Sequence, residues 1–300
     1  MRFSSRVFFA TACLCVGFSA LAATPYAVLD SVQSPAWVDR DGQRLPATPG
    51  MTLKNRDRLL TGNESRAIVQ LGDGSAVKLG ANSQIDFNAM DRKPGGPFTA
   101  ALDVATGAFR LTTDILRKFR SPRAINVRVG TVTAGIRGTD LWGRSNEDRD
   151  LICLLEGRIY VSHPQGEAAE LNEPRQFYAA APGQAPGPVT FVDPEQLREW
   201  AQTTELQGSA PTLRRSGLWA VMAGNAGNEE DALAAYDRLT GAGYPVRIRP
   251  KKGTEGYDYD LLVGPLVSEH GAAVLARRLS EETGVAASVV KLGQATLRPR

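Results

Sequence analysis

The sequence has few of the residues that build metal or catalytic centres: two histidines and three cysteines in 300 residues. His163 and His270 lie far apart, and neither has a second histidine or a cysteine at ligand spacing, which argues against a zinc site. A Gly-x-Ser-x-Gly motif, a phosphate-binding loop and a dinucleotide fingerprint are also missing. We therefore predict no metal, no cofactor and no catalytic residue. Paired carboxylates across a cleft, as in glycan hydrolases, are an arrangement that sequence spacing does not test.

Long apolar runs are equally scarce, and the single one spans Val7–Leu21. Two arginines precede it, and it ends in an Ala-Leu-Ala site. This order is typical of a secretory signal peptide, and the run is shorter than the roughly 18–20 residues of a transmembrane helix. We expect cleavage near Ala22 to remove residues 1–22. The remaining chain is then expected in the periplasm, without a transmembrane span.

Cysteine content and net charge say little about partners. Cys13 and Cys15 leave with the signal peptide, and Cys153, set among Ile and Leu, is predicted to be a buried small apolar residue without a disulfide. The net charge of +3 falls to +1 without the leader. Charge therefore does not point to nucleic acid, and export argues further against it. A basic segment at residues 92–128 is either a solvated loop or a contact to anionic glycan or lipid head groups.

Residues 26–192 carry the short alternating apolar patterns of β-strands, separated by Gly, Asn, Asp and Pro. In the segment 65–80, two alternating runs flank Gly72-Asp73-Gly74, and Asp-Gly in such a position predicts a hairpin or corner. Helical periodicity is nearly absent, apart from a possible turn at Thr113–Phe119. We predict a mostly β N-terminal domain, built as a roll, sandwich or short solenoid.

The pattern changes after a linker at residues 193–216. The linker contains a helix candidate at Pro194–Glu205 and a stretch, Gln207–Gly217, that is typical of a flexible joint. Residues 217–292 then follow the order β-α-β-β-α-β, with acidic residues opening each helix and glycine ending it. This order predicts a ferredoxin-like α+β domain, a four-stranded antiparallel sheet with both helices on one face. Residues 293–300 form a tail.

The C-terminal region resembles the sporulation-related repeat (SPOR) family from Leu218 to Leu292. The matching positions are Ala232, Leu239, Gly243, Tyr244, Tyr259, Val263, Gly264, Pro265 and Leu279. The resemblance implies that the open face of the sheet binds peptidoglycan glycan strands stripped of their stem peptides. The chain departs from the family pattern at Met222, where the family has Gln, and at Ala226 and Leu266, where it has Phe.

Strand alternation places a set of side chains on the open face of the predicted sheet. The candidate glycan-binding residues are Met222, Asn225, Arg247, Arg249, Asp260 and Leu262. Two interpretations stay open for the charged members: a cross-strand ladder of ion pairs that only solubilises the sheet, or a polar bed for sugar hydroxyls. Tyr257 and Tyr259 are expected to lie mostly with the core.

The N-terminal region resembles the FecR-type domain over about Val28–Val192. The motifs that carry the resemblance are Thr61-Gly62, Asp73-Gly74-Ser75 and Ile136-Arg137-Gly138-Thr139. Signalling members of this family carry a cytosolic segment and a membrane helix ahead of the domain, and here a signal peptide takes that place. The resemblance implies a periplasmic β domain. It also leaves a second hypothesis, in which the domain senses or relays a signal through an envelope protein partner and the C-terminal domain no longer binds glycan.

The segment Arg128–Gly143 interrupts a β-branched run with two glycines. Alternation predicts one strand that continues through Thr131, with corners at Gly135 and Gly138. Between these corners Arg137 would bond loop carbonyls, and Thr139 would cap the turn. We predict a structural corner rather than an active site, because no nucleophile, base or metal set accompanies it.

Overall fold

The computed structural model describes residues 26–93, 96–113, 123–136, 138–253 and 256–293. The predicted signal peptide, nearly all of the predicted tail and the turn predicted at Thr113–Phe119, apart from Thr113, lie outside these ranges. Among the residues described, no helix has the length and hydropathy needed to cross a membrane.

The fold is mostly β in the N-terminal region and α+β in the C-terminal region, as predicted. The N-terminal strands are β1 Ala27–Gln33, β2 Ala36–Arg40, β3 Gln43–Pro46, β4 Thr52–Leu53, β5 Asp57–Thr61, β6 Arg66–Leu71, β7 Ala76–Leu79, β8 Gln84–Arg92, β9 Phe98–Thr112, β10 Arg123–Val129, β11 Val132–Ile136, β12 Asp140–Ser145, β13 Asp150–Glu156, β14 Ile159–Ser162, β15 Ala169–Leu171, β16 Gln176–Ala180 and β17 Thr190–Phe191. The C-terminal elements are α1 Pro194–Gln202, β18 Leu213–Arg214, β19 Trp219–Ala226, α2 Glu229–Gly241, β20 Val246–Lys252, β21 Tyr257–Leu266, α3 Glu269–Thr283 and β22 Ser288–Lys291.

Two sheets of the N-terminal domain share the long strand β9. The first sheet runs β3-β2-β5-β8-β9-β10-β11-β14-β15, and the second runs β1-β6-β7-β9-β12-β13-β16-β17. The strand changes sheet near Gly107, where φ is +86° and a Cβ atom would lie 2.2 Å from Ser83 Oγ. Glycine is required there because an L side chain would be both strained and obstructed. Buried side chains of both sheets then form one apolar core.

The predicted hairpin at Gly72–Gly74 is confirmed as the connection between β6 and β7. The buried Asp73 carboxylate accepts hydrogen bonds from Ser75 N at 3.0 Å and Ser75 Oγ at 2.6 Å. Gly74 takes φ +93°. Asp73 accepts the hydrogen bonds of the turn residues, and Gly74 adopts the positive φ that the turn requires. Both roles are those that the Asp-Gly pair predicts.

The chain turns around Gly138, as predicted, but the corner expected at Gly135 is wrong, because Gly135 lies within β11, opposite Asn126 and Tyr160. The chain leaves the first sheet after β11 and enters the second as β12. The expected strand through Thr131 is wrong: β10 and β11 form a hairpin, in which the buried Asp150 carboxylate accepts from Thr131 N at 2.8 Å and Thr131 Oγ1 at 2.7 Å. Arg137 lies outside the described residues. The expected side-chain cap is also wrong, because Thr139 bonds through its backbone N–H to Thr113 Oγ1 at 2.7 Å.

The C-terminal sheet has the order β20-β21-β19-β22, all antiparallel, and α2 and α3 pack on one of its faces. Asn228 caps α2 by accepting from Asp231 N at 2.8 Å, and Ser268 caps α3 by accepting from Gly271 N at 3.0 Å. Gly284 ends α3 in the left-handed conformation. The predicted β-α-β-β-α-β order and the glycine end of α3 are therefore confirmed.

The linker does contain the predicted short helix, but the prediction of a flexible joint at Gln207–Gly217 is wrong. Within that stretch, β18 pairs with β1 of the N-terminal domain and with β21 of the C-terminal domain. The buried Gln33 amide also donates to Gln207 O and Thr212 Oγ1, both at 2.8 Å. One hydrogen-bonded sheet therefore continues from the N-terminal domain into the C-terminal domain.

Helix α1 covers the outer side of the second sheet. Trp200 stacks on the buried Trp142 with ring centroids 5.1 Å apart, and Phe177 meets Trp200 edge-on at 6.1 Å. Cys153 is buried in the same cluster, as predicted, and burial raises the pKa of its thiol to about 12. After the helix, Glu205 pairs with Lys78 at 2.6 Å and Arg110 at 2.9 Å.

We predict that Trp200→Ala lowers the free energy of unfolding by about 2 kcal/mol, because it removes the ring that covers Trp142. Denaturant unfolding followed by circular dichroism measures this change. Phe191→Ala is the matched control, since Phe191 is an exposed aromatic residue on the edge strand β17. Equal destabilisation by the two substitutions would contradict the role of α1 as a packed element.

Candidate functional site

The six candidate residues lie side by side on three neighbouring strands of the C-terminal sheet. In the first row, Met222 of β19 is opposite Leu262 of β21, which is opposite Arg247 of β20. In the second row, Asn225 is opposite Asp260, which is opposite Arg249. Directly opposed residues share a face in an antiparallel sheet. The structure therefore brings all six onto the face opposite α2 and α3.

A β-bulge in β19 makes this arrangement possible. Met222 and Asn225 are three residues apart, but their partners Leu262 and Asp260 are only two apart, and the register shifts between Met222 and Gly224. The extra residue turns Asn225 onto the same face as Met222. Simple alternation would have placed Gly224 there instead.

Asp260 is the buried centre of the second row. Its carboxylate accepts from Arg249 Nη2 at 2.8 Å, Lys251 Nζ at 2.9 Å and Asn225 Nδ2 at 3.0 Å. Burial on its own raises the pKa of the Asp260 carboxyl, but the three hydrogen bonds outweigh it and hold the pKa below the ordinary 3.8. The ion-pair interpretation is therefore right for Arg249 and Asp260, and Lys251 joins the cluster that the sequence had limited to arginine and aspartate.

The first row is different because its charge is not neutralised. Arg247 is exposed, and in the described ranges no carboxylate lies at ion-pair distance from it. Met222 is half-buried and Leu262 is buried, so the row has an apolar floor that ends in a free guanidinium. Ser288 of β22 lies opposite Met222 and extends the row at its other end.

The sequence analysis missed Ser288, placed Lys251 on the correct face without its contact to Asp260, and misplaced Tyr257. Ser288 was missed because the pairing of β22 with β19 joins distant parts of the chain. Strand alternation places Lys251 on the outward-facing side. Its contact with Asp260, which Arg249 also contacts, depends on how β20 pairs with β21. Tyr257 was expected with the core and is 60% exposed, near the end of the β20–β21 hairpin.

The three departures from the family pattern have different surroundings. Ala226 and Leu266 are buried, and Leu266 packs where β21 meets β18. Of the three, Met222 is the residue on the open face, so it is the substitution that bears most directly on a ligand. In the part of the chain that the structure describes, no group of three His, Cys, Asp or Glu side chains could hold a metal ion.

This architecture is a two-sheet β domain continued into a βαββαβ domain, with one polar sheet face left uncovered. The family models agree: the FecR protein family matches residues 57–160 and the SPOR domain matches residues 215–291. The chain therefore carries a FecR domain followed by a SPOR domain, as the motifs predicted. SPOR is a peptidoglycan-binding domain, and both families are typical of envelope proteins.

Among solved structures, the chain is similar to a candidate anti-sigma factor from Parabacteroides distasonis ATCC 8503, seen in two crystal structures. Each alignment has 11% identity and a TM-score of 0.39 and covers 79% of this chain, with 99% and 98% of the other chain covered. Comparison with curated proteins finds no match.

We predict that Asp260→Asn lowers the free energy of unfolding by about 3 kcal/mol at neutral pH, because Arg249 and Lys251 lose a buried anionic partner. The pKa of the Asp260 carboxyl is lower in the folded state than in the unfolded state. The carboxylate therefore stabilises the fold fully above pH 3.8 and loses this effect as the pH falls through the folded-state pKa. The difference between wild type and variant should therefore shrink in acid.

Denaturant unfolding over a pH series measures this difference. Asp258→Asn is the control, because Asp258 sits on the same strand, and we expect a change within about 0.5 kcal/mol. A difference that stays constant into acid would show that Asp260 does not contribute through its charge.

Proposed function

We propose that this protein is a non-catalytic periplasmic protein that binds peptidoglycan glycan strands through the open face of its SPOR domain. In this proposal, residues 217–292 form the glycan-binding domain, and residues 26–192 form a β domain that is presented near the cell wall. The binding residues are Met222, Asn225, Arg247 and Arg249 at the surface, next to the buried Asp260 and Leu262 on the same face.

The observation that carries the proposal is the first row, with its apolar floor and its free arginine. The C–H faces of a sugar ring can pack on Met222 and Leu262, while hydroxyl and acetamido groups bond Arg247 and Asn225. A muramic acid residue without its stem peptide carries a free carboxylate. The unpaired Arg247 guanidinium is suited to that group, because a bidentate pair with a carboxylate is a strong hydrogen-bonded contact.

The pairing of β18 with both domains affects how a bound glycan would position the β domain. Because β18 links the sheets of both domains, a glycan strand on the SPOR face would hold the β domain at a fixed orientation rather than on a loose tether. A binding role without catalysis is supported by the two families, which are binding and regulatory families.

The second candidate function is a FecR-type sensor or relay that acts through an envelope protein partner. Met222 favours this alternative, because it replaces the family's Gln on the open face of the SPOR sheet. Chemical crosslinking that recovers one stoichiometric protein partner, together with absent retention on cell-wall sacculi, would support it over the glycan-binding proposal.

We expect Arg247→Ala to reduce binding of the chain without residues 1–22 to peptide-free glycan strands by about tenfold, the effect of losing one charge-assisted contact. Co-sedimentation with amidase-treated sacculi and calorimetry with soluble strands measure the loss. Arg277→Ala is the matched control, because Arg277 is exposed on α3, on the other face of the sheet. Equal binding by wild type and Arg247→Ala would refute the assignment of the face.

Met222→Gln separates the two candidate functions. If the SPOR face binds glycan, an amide in this position adds hydrogen bonds, and we expect affinity for the same strands to rise about threefold to tenfold. Glycan binding that is absent in both wild type and Met222→Gln would instead favour the protein-partner function.

A further inference from the structure

The outer face of the first sheet contains a row of side chains that the SPOR proposal does not use. Asn126 of β10 lies opposite Gly135 of β11, which lies opposite Tyr160 of β14 and then Glu170 of β15. Neighbouring strands are about 5 Å apart, so Asn126 and Tyr160 are separated by roughly 10 Å across the sheet. This span is comparable with two consecutive sugar rings.

The Tyr160 ring is largely exposed to solvent and does not cover the glycine on the neighbouring strand. The residue is 59% exposed. An aromatic residue opposite a glycine commonly leans over it, yet a Cβ atom at Gly135 would meet only Asn126 Oδ1, at 3.6 Å, within 4 Å. The ring therefore stands away from Gly135 and leaves an open floor beside it.

A groove of about 540 Å³ adjoins this floor on the next row of the sheet. Its lining includes Arg128, Thr131, Thr133, Ser162 and His163. The register continues through it, because Arg128 is opposite Thr133 and Thr133 is opposite Ser162. The row and the groove therefore lie side by side on one face of the sheet.

The two arginines beside the row are already paired, and the buried Asp150 carboxylate next to the groove accepts hydrogen bonds from Thr131 and Ser145. Arg128 bonds Asp103, and Arg158 pairs with Glu170 at 3.0 Å. An ionic ligand would have to compete with these pairs, whereas a neutral one would not. The uncommitted polar groups are neutral: in the described chain, the side chains of Asn126, Thr133, Tyr160 and Ser162 make no hydrogen bond.

We infer that this row, together with the groove beside it, is a second carbohydrate site, which takes an uncharged stretch of a glycan chain. The Tyr160 ring would pack on the apolar face of one sugar, and Asn126 would bond the hydroxyl or acetamido groups of the next, across the Gly135 floor. The site lies in the FecR domain and is independent of the proposed glycan-binding face of the SPOR domain.

Calorimetry with chitohexaose and with cellohexaose tests this inference and distinguishes an N-acetylated from a plain glucan ligand. The titrations use the chain without residues 1–22 in an Arg247→Ala background, so that the SPOR face contributes least. We expect at least one of the two sugars to bind. We expect Tyr160→Ala to weaken that binding by about tenfold, and Gly135→Val, which fills the floor without removing the ring, by a similar factor.

Two controls make the outcome decisive. Tyr160→Phe keeps the ring and should stay within about threefold of the parent, and Phe191→Ala removes an exposed aromatic residue elsewhere and should leave binding unchanged. Parent-level affinity in both Tyr160→Ala and Gly135→Val, or no binding of either sugar, would overturn the inference. Neither result would affect the sacculus test of the SPOR face.

Discussion

The arrangement of the candidate face depends on one buried carboxylate. Asp260 is fully buried and needs partners for its charge, since an unpaired ion in this position would be strongly destabilising. Those partners come from both neighbouring strands, Arg249 and Lys251 on one side and Asn225 on the other. The contacts fix the register of β20, β21 and β19 together, because slipping any strand by one residue would turn its donor to the opposite face.

The same register determines what the surface offers to a ligand. Once Asp260 and Asn225 are opposed, the bulge in β19 places Met222 opposite Leu262, which is opposite Arg247 on its other side. The row that contains Asp260 and Arg249 stabilises the sheet, and the adjacent row contains the unpaired guanidinium of Arg247. The two interpretations of the open face are therefore not exclusive. One row supports the fold, while the other remains accessible for binding.

The junction between the domains is a second constraint on function. Besides β18, Trp37 Nε1 donates to Gly241 O at 3.2 Å and Arg278 Nη1 donates to Ser34 O at 3.2 Å. A Cβ atom on Gly243 would lie 2.7 Å from the Trp37 ring, so this approach requires glycine. Domains held by a continuous sheet and by such contacts share one orientation, so any ligand of one domain also positions the other.

Local sequence signals predicted much of this structure. The Asp-Gly hairpin, the acidic first turns of α2 and α3, the glycine that ends α3 and the β-α-β-β-α-β order depend on neighbouring residues, and the sequence predicted all of them. Strand alternation also placed five of the six candidate residues on the open face, whereas Asn225 reaches that face through the bulge in β19. Features that depend on distant partners were missed: the two-residue strand β18 forms because β1 and β21 lie beside it, and the turn at Thr131 forms because Asp150 accepts its hydrogen bonds.

An NMR map of amide shifts, recorded on the chain without residues 1–22 as peptide-free glycan strands are added, tests the central claim most directly. We predict the largest shifts at Met222, Arg247 and Leu262, with little change along α2 and α3. Shifts confined to the helices, or no shifts in the C-terminal domain, would contradict glycan recognition by the open face of this sheet.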